Sequence, residues 1–160
     1  MYRTKNDLPE NVRAKMIELL NARLADAVDL QTQTKQAHWN VKGPTFIALH
    51  ELFDDVNEAV EDYVDLIAER AVQLGGVAEG TARMIVKRSS LPEYAPRSAA
   101  GRDHAEALSS ALAAFGKQVR AAIAHSDELG DADSTDVFTE ISRGVDKWLW
   151  FVEAHTSDER

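Results

Sequence analysis

Apolar residues recur at steps of three and four along four segments of this 160-residue chain, and no other feature restricts its fold as strongly. In the last two segments they are Leu108, Leu112, Phe115, Val119 and Ile123, then Phe138, Ile141, Val145, Trp148 and Val152. That spacing places apolar side chains on one face of an α-helix. Because only four Pro and eight Gly interrupt the chain, we expect helices nearly throughout.

Clusters of Gly, Pro and Asp divide the chain into its predicted elements. The four long helices are expected over about 9–40, 45–74 and 98–125, and from N-caps at Asp133 and Ser134 onward. Gly75 and Gly76 are suited to end the second helix in the left-handed conformation. A short helix over about 81–87 is expected in the long connection that follows, ahead of a loop at 89–96.

Four amphipathic helices of this length predict an all-α four-helix bundle, with a short extra helix between helices 2 and 3. One domain accounts for residues 1–160, including a short amino-terminal arm of about residues 1–8. We expect the aromatic residues of the last helix to lie in the core. Without a signal peptide or a long apolar stretch, a cytoplasmic protein that does not enter a membrane is expected.

Composition excludes several kinds of site. The chain has no cysteine, so disulfides, thiolate metal sites and cysteine nucleophiles are absent. Its net charge of −9 favours cations as partners and disfavours simple binding to phosphate backbones.

Side chains able to bind a metal ion are concentrated between residues 38 and 69. On the second predicted helix, His50 and Asp54 are four residues apart, as are Asp65 and Glu69, so each pair can contact one ion. These four fall within about 100° on a helical wheel, roughly opposite the apolar face. Imidazole with carboxylate suits iron, manganese or zinc, and many carboxylates without sulfur favour iron.

A single helix cannot bring both pairs to one ion. Asp54 and Asp65 are eleven residues apart, about 16 Å along the axis. The pairs His50–Glu69 and Asp54–Asp65 nevertheless share one midpoint in the sequence. Two copies of the helix, antiparallel about a two-fold axis there, would bring His50 to Glu69 of the partner subunit and Asp54 to the partner's Asp65.

The same register places Ile47 opposite Val72 and adds apolar contact. His38 lies as far before the turn near residue 44 as His50 lies after it, so a helical hairpin sets both at one height. The predicted site contains His38, His50 and Asp54 of one subunit with Asp65 and Glu69 of the other. The alternative interpretation is a solvated acidic face, since residues 51–69 hold eight acids and no base.

The segments KQAHWNVKGPTFIALHELFDD and DLIAERAVQLGG resemble the Dps family (DNA-binding protein from starved cells), the small ferritin-like proteins. The resemblance extends over about residues 7–153, including DVFTEISRGVDKWLWFVE. Its motif is a His, a second His twelve positions on, then Asp, Asp and Glu at steps of four, eleven and four. Every member of that motif is present here.

The resemblance implies a ferritin-like bundle assembled as a hollow homododecamer through two-fold and three-fold interfaces. It implies ferroxidase sites at the five residues, where ferrous iron is oxidised, preferably by hydrogen peroxide, and the ferric product is stored as mineral. Zinc and other divalent metals are expected to compete for the site. Trp39 resembles the family tryptophan that intercepts oxidising equivalents, although a packed interface aromatic is the alternative.

Two other metal sites do not fit. The larger ferritins use Glu-x-x-His motifs inside one bundle, and this chain contains none. The run from His50 to Asp54 also lacks the second histidine of the zinc-protease pattern His-Glu-x-x-His.

The resemblance further implies a negatively charged pore for iron at a three-fold axis. The candidate residues form a second acidic cluster, and they are Asp127, Glu128, Asp131, Asp133, Asp136 and Glu140. The alternative interpretation is a solvated helix start, where the helix dipole favours acidic side chains.

Binding to DNA in this family usually depends on flexible Lys/Arg-rich extensions. Here the segment before the first helix offers only Arg3 and Lys5, and the end HTSDER is not basic. A DNA-compacting protein with secondary metal sites is the alternative function, and the scarcity of basic residues in the arm counts against it. A structural helical bundle without catalytic activity is the third possible function.

Overall fold

The structure, a computed structural model, describes residues 1–96 and 98–156. Its helices are α1 (Glu10–Asn40), α2 (Phe46–Gln73), α3 (Ala82–Arg88), α4 (Gly101–Glu128) and α5 (Ala132–Glu153). α1 packs along α2 and α4 along α5, while α3 lies against α1 in the long connection between α2 and α4. The predicted all-α four-helix bundle with a short extra helix is confirmed. The last four residues of the HTSDER end lie outside the described residues.

The core of the bundle is built from the apolar faces that the periodicity predicts. Its largest fully buried side chains include Phe53 of α2, Phe115 of α4 and Phe138 of α5. Full burial of such a side chain stabilises the fold by about 1.5–3 kcal/mol. The expectation for the last helix is wrong for Trp150, which is 66% exposed, because it lies about 200° around the helix from the partly buried Trp148.

The helix boundaries differ from prediction at α4 and α5. α4 begins at Gly101 rather than Ser98, because Ala100 at its N-cap is extended and pairs with Lys42. α5 begins two or three residues earlier than expected from its sequence, with Asp131 as its N-cap. The Asp131 side chain accepts a hydrogen bond from the Ser134 amide at 3.1 Å, so neither Asp133 nor Ser134 is the cap.

The amino-terminal arm is docked on the end of α2. Gly75 has φ +86°, as expected for a left-handed terminator, and its carbonyl accepts a hydrogen bond from the Tyr2 amide at 2.6 Å. Arg13 of α1 donates to the carbonyls of Leu8 and Leu74 at 3.1 and 3.0 Å. The arm is therefore attached to the bundle by backbone and guanidinium hydrogen bonds.

Buried polar side chains of α1 hold the long connection. Asp26 is fully buried and accepts hydrogen bonds from the amide and hydroxyl of Ser90 at 2.7 and 3.0 Å. Gln33 donates to the Pro92 carbonyl at 3.0 Å. These contacts keep the connection along α1. None of the helices in the described ranges has an apolar stretch long enough to cross a lipid bilayer.

Burial of His104 makes the stability of the fold depend on pH. Burial lowers the pKa of His104, which is 1% exposed, below its usual value. Below the unfolded-state pKa of about 6.5, the unfolded chain binds this proton more readily than the folded chain. We therefore expect the free energy of unfolding to decrease as pH falls from about 6.5 towards the folded-state pKa.

Denaturant unfolding at a series of pH values tests this expectation. His104→Gln should flatten the dependence in that window, whereas replacing the exposed His125 in the same way should leave it as in the wild type. Equal slopes for wild type and His104→Gln would contradict the assignment.

Candidate metal centre

His38 of α1 and His50 of α2 lie face to face where the two helices meet. Their rings stack with centroids 3.7 Å apart and planes 22° apart. Nδ1 of His38 is 2.8 Å from the His50 carbonyl oxygen, and Nδ1 of His50 is 2.9 Å from the His38 carbonyl oxygen. The hairpin therefore sets both histidines at one height, as the sequence predicts.

The reciprocal hydrogen bonds fix the chemistry of both rings. A carbonyl oxygen only accepts hydrogen bonds, so each Nδ1 carries the ring proton and donates it. In neutral imidazoles the lone pair is then on Nε2 of both residues. A backbone carbonyl that orients the other ring nitrogen in this way is typical of histidines that bind metal ions. The donor set thus fits a divalent metal ion.

Asp54 adds a carboxylate one helical turn after His50 and forms an ion pair with Lys35 of α1. Its Oδ1 atom is 3.9 Å from Nδ1 of His38. The hydrogen bond from Lys35 keeps the pKa of Asp54 below its usual value, although desolvation acts in the opposite direction. Asp54 is therefore an ionised carboxylate whose counterion is an ammonium group of the same subunit.

Because Lys35 and a metal ion compete for the same carboxylate, we expect Lys35→Met to bind zinc more tightly than wild type. A hydrogen bond between charged groups contributes about 1.5–3 kcal/mol, reduced here because the side chains are 33% and 41% exposed. The expected gain is about ten-fold in Kd. Calorimetric titration of zinc measures it, with Lys42→Met as control. An unchanged or weaker affinity would contradict the competition.

Asp65 and Glu69 lie further along α2 on its solvent-facing side. No described residue donates a hydrogen bond to either carboxylate. Glu69 borders a shallow groove of about 350 Å³ together with Ala68, Val72 and Ala78. The opposite side of α2 is buried and apolar, as the wheel predicts. Both carboxylates are thus directed away from the bundle of their own subunit.

One subunit does not bring all five predicted ligands together. Over the described ranges, no group of three or more His, Asp or Glu side chains is arranged to hold a metal ion. His38, His50 and Asp54 are neighbours at one end of the α1–α2 hairpin, whereas Asp65 and Glu69 lie towards the other end of α2. The ligand set as a whole stays a prediction that depends on a second subunit.

The acidic cluster near α5 separates into buried and exposed members. Asp131 is 2% exposed, and its Oδ1 atom forms an ion pair with Nη2 of Arg70 at 2.6 Å. Its carboxylate is paired with Arg70 of the same subunit and does not face an open surface. The pore predicted from the sequence would instead need an exposed carboxylate at this position. Asp127, Asp133 and Asp136 are exposed, and for them the pore stays a prediction.

Trp39 follows His38 and is 67% exposed. Its indole is therefore at the surface beside the histidine pair, where the described residues do not cover it. Its role as an interceptor of oxidising equivalents stays a prediction.

Two charged residues of this region are absent from the sequence-based predictions. Lys35 lies three residues before His38 and therefore on the same face of α1, which is the signal that could have identified it. Arg70 gives no such signal, because its partners Asp131 and Ser134 are more than sixty residues away.

Comparison with known proteins identifies the family of this chain. The family model described as "Ferritin-like domain" matches residues 17–160. The DNA protection during starvation protein of Agrobacterium fabrum (strain C58) is 44% identical over 158 residues, which cover 99% of this chain and 98% of that protein.

Solved structures show the same likeness. Mycobacterium smegmatis Dps in a tetragonal form has a TM-score of 0.92 at 31% identity, covering 98% of this chain and 95% of that chain. Dps from Microbacterium arborescens in the high iron form has a TM-score of 0.86 at 36% identity, covering 97% and 99%. This chain therefore belongs to the Dps family of ferritin-like proteins.

Proposed function

We propose that this protein is a ferroxidase and iron store of the cytoplasm. It oxidises ferrous iron, preferably with hydrogen peroxide, at sites shared between two subunits, and keeps the ferric product in a hollow dodecamer. The observation that carries the proposal is the reciprocal hydrogen bonding of His38 and His50, because it leaves the lone pairs of both Nε2 atoms available to a metal ion.

The surface of α2 supports a site shared about a two-fold axis. Ile47 and Val72 are 60% and 55% exposed, at opposite ends of the helix. In the antiparallel register they cover each other, while His50 and Asp54 meet the carboxylates of Glu69 and Asp65 of the partner subunit. Exposed apolar residues of this kind mark contact surfaces.

The ligand chemistry suits the oxidation of ferrous iron. Neutral imidazoles bind ferrous iron, and the carboxylates stabilise the harder ferric product. Two ferrous ions each give one electron to hydrogen peroxide, which takes two protons and becomes two molecules of water. Transfer of both electrons avoids release of hydroxyl radical. Since the imidazoles must be neutral to bind, protons compete with iron for these ligands.

The relatives support iron as the substrate. The Microbacterium arborescens protein is described in a high iron form, and this chain shares its fold at a TM-score of 0.86. Asp127, Asp133 and Asp136 are the exposed carboxylates proposed to draw ferrous iron to a three-fold pore, since a cluster of one charge sign raises the local concentration of its counterion.

Anaerobic addition of ferrous iron, followed by hydrogen peroxide, tests the proposal. Oxidation should be prompt in the presence of the assembled protein, and the ferric product should stay in solution and co-elute with it. Zinc added beforehand should slow the reaction by occupying the same ligands. A time course equal to that in buffer would contradict the proposal.

DNA compaction through the arm is not part of the proposal. The Agrobacterium fabrum relative is named for DNA protection, which shielding from peroxide also provides. Here the arm with Arg3 and Lys5 is hydrogen-bonded to the end of α2 through Tyr2 and Gly75. A gel shift at low salt that is lost on deleting residues 1–6 would favour the DNA-binding alternative.

A further inference from the structure

A tyrosine–histidine pair lies outside the predicted iron ligands. Tyr94 Oη is 2.6 Å from Nδ1 of His104, and the two rings stack with centroids 6.1 Å apart. His104 is almost completely buried. Its other nitrogen, Nε2, makes no hydrogen bond with any described residue. The Tyr94 hydroxyl is thus the hydrogen-bond partner of Nδ1, and the backbone of Asn40 lies close enough to act on the protonated ring.

The direction of this hydrogen bond follows from the surroundings of His104. The backbone of Asn40 favours a proton on the ring, and the nitrogen not engaged by Tyr94 is Nε2. Because a phenol O–H is a much stronger acid than the N–H of a neutral imidazole, Tyr94 donates, Nδ1 accepts and the ring proton is on Nε2. Burial lowers the pKa of His104 and raises the pKa of Tyr94. At neutral pH the pair is a neutral phenol hydrogen-bonded to a neutral base.

The pair lies near the end of α1 that bears the predicted ligand His38. Gln33 of α1 holds the Pro92 carbonyl just before Tyr94, and the Lys42 amide donates to the Ala99 carbonyl just after it at 2.8 Å. His38 lies between these two attachments, about 8 Å from Gln33 along the helix axis. The segment carrying Tyr94 therefore runs beside the end of α1 that bears the histidine ligand.

We propose that Tyr94 and His104 form a redox site that removes one-electron oxidants escaping from the iron site, an inference that rests on the proposed function. When a single ferrous ion reduces peroxide, it yields a hydroxyl radical and hydroxide. The radical takes one electron from Tyr94 and becomes hydroxide. The phenolic proton of Tyr94 moves to Nδ1 of His104, leaving a neutral tyrosyl radical and an imidazolium. A further ferrous ion returns the electron, and His104 returns the proton.

Each feature of the pair serves this step. Loss of an electron makes a phenol a strong acid, so an imidazole whose pKa is lowered by burial still accepts its proton. A proton that moves along an existing 2.6 Å hydrogen bond requires no rearrangement. Burial of His104 also keeps bulk water from replacing it as the base.

Rapid-freeze electron paramagnetic resonance tests the proposal on the assembled protein. Ferrous iron at less than one ion per site, mixed with hydrogen peroxide, should give a tyrosyl signal, identified by ring-deuterated tyrosine. Tyr94→Phe should remove the signal, and His104→Gln, which accepts a hydrogen bond but is a poor base, should diminish it. Tyr2→Phe and Tyr63→Phe are matched controls and should retain it. A signal that persists in Tyr94→Phe would overturn the proposal.

A second arm without iron separates this proposal from the proposed function. A ruthenium polypyridyl photo-oxidant acting on the metal-free protein should oxidise Tyr94 in the wild type and not in Tyr94→Phe. If this signal forms while ferrous iron is oxidised no faster than in buffer, the ferroxidase proposal fails and the redox pair stands. If iron oxidation is fast and neither arm yields a Tyr94 signal, the pair only anchors the loop.

Discussion

The variant carrying both His50→Ala and Asp65→Ala is expected to oxidise ferrous iron no faster than buffer after addition of hydrogen peroxide. In the shared arrangement every site loses one imidazole from one subunit and one carboxylate from its partner. His38 and Asp54 then remain with only Glu69 of the partner subunit, and Asp54 is still paired with Lys35, so metal affinity is lost along with the reaction. Stopped-flow absorbance of the ferric product measures the rate, and calorimetry with zinc measures the affinity.

The matched control is His155→Ala with Asp55→Ala. It removes one exposed histidine and one exposed aspartate outside the predicted ligand set. The control should have wild-type helicity and particle size, since exposed side chains away from special contacts contribute within about 0.5 kcal/mol. Because His50→Ala also removes the hydrogen bond to the His38 carbonyl, circular dichroism and size-exclusion chromatography are used to compare the folding and assembly of both variants. Equal loss of oxidation in both variants would show a general charge effect instead of a defined site.

Arg70→Met is expected to destabilise the fold by about 3–5 kcal/mol, the cost of breaking a buried ion pair by removing one partner. Arg70 donates to Asp131 at 2.6 Å and to the Ser134 hydroxyl at 3.0 Å, joining the end of α2 to the start of α5. Both members of the ion pair are less than a tenth exposed. The variant leaves the Asp131 carboxylate buried without its counterion.

Urea unfolding at one fixed protein concentration measures this loss. Arg143→Met, on the exposed side of α5, is the control and should differ little from wild type. Adding Asp131→Asn to Arg70→Met should recover part of the stability, because the amide still caps α5 and carries no charge. Equal midpoints for Arg70→Met and Arg143→Met would show that the pair contributes little.

The fold could be predicted from sequence because its determinants are local. The period of apolar residues indicated the four long helices, and the equal spacing of His38 and His50 from the turn predicted their contact. The predicted N-cap of α5 is wrong because several neighbouring polar residues could cap the helix. Asp131, rather than Asp133 or Ser134, caps α5 because Arg70 of a distant helix holds it in place.

The pairing of side chains across the bundle could not be predicted from the sequence pattern. Neither the Lys35–Asp54 ion pair nor the Tyr94–His104 hydrogen bond follows from periodicity or spacing. Each depends on the rotation of two packed elements about their axes, which tertiary packing decides. Within one subunit, the predicted ligands Asp65 and Glu69 are positioned only by α2. The proposed metal site is complete only when a second subunit contributes its ligands.

Complementation between two inactive variants tests the shared site most directly. One variant carries His38→Ala and His50→Ala, and the other carries Asp65→Ala and Glu69→Ala. Co-expressed with different tags, they form mixed dimers in which one site has all five ligands and the other has almost none. At equal random mixing, about a quarter of the wild-type sites should be restored. A mixed assembly as inactive as its two components would contradict a site built from two subunits.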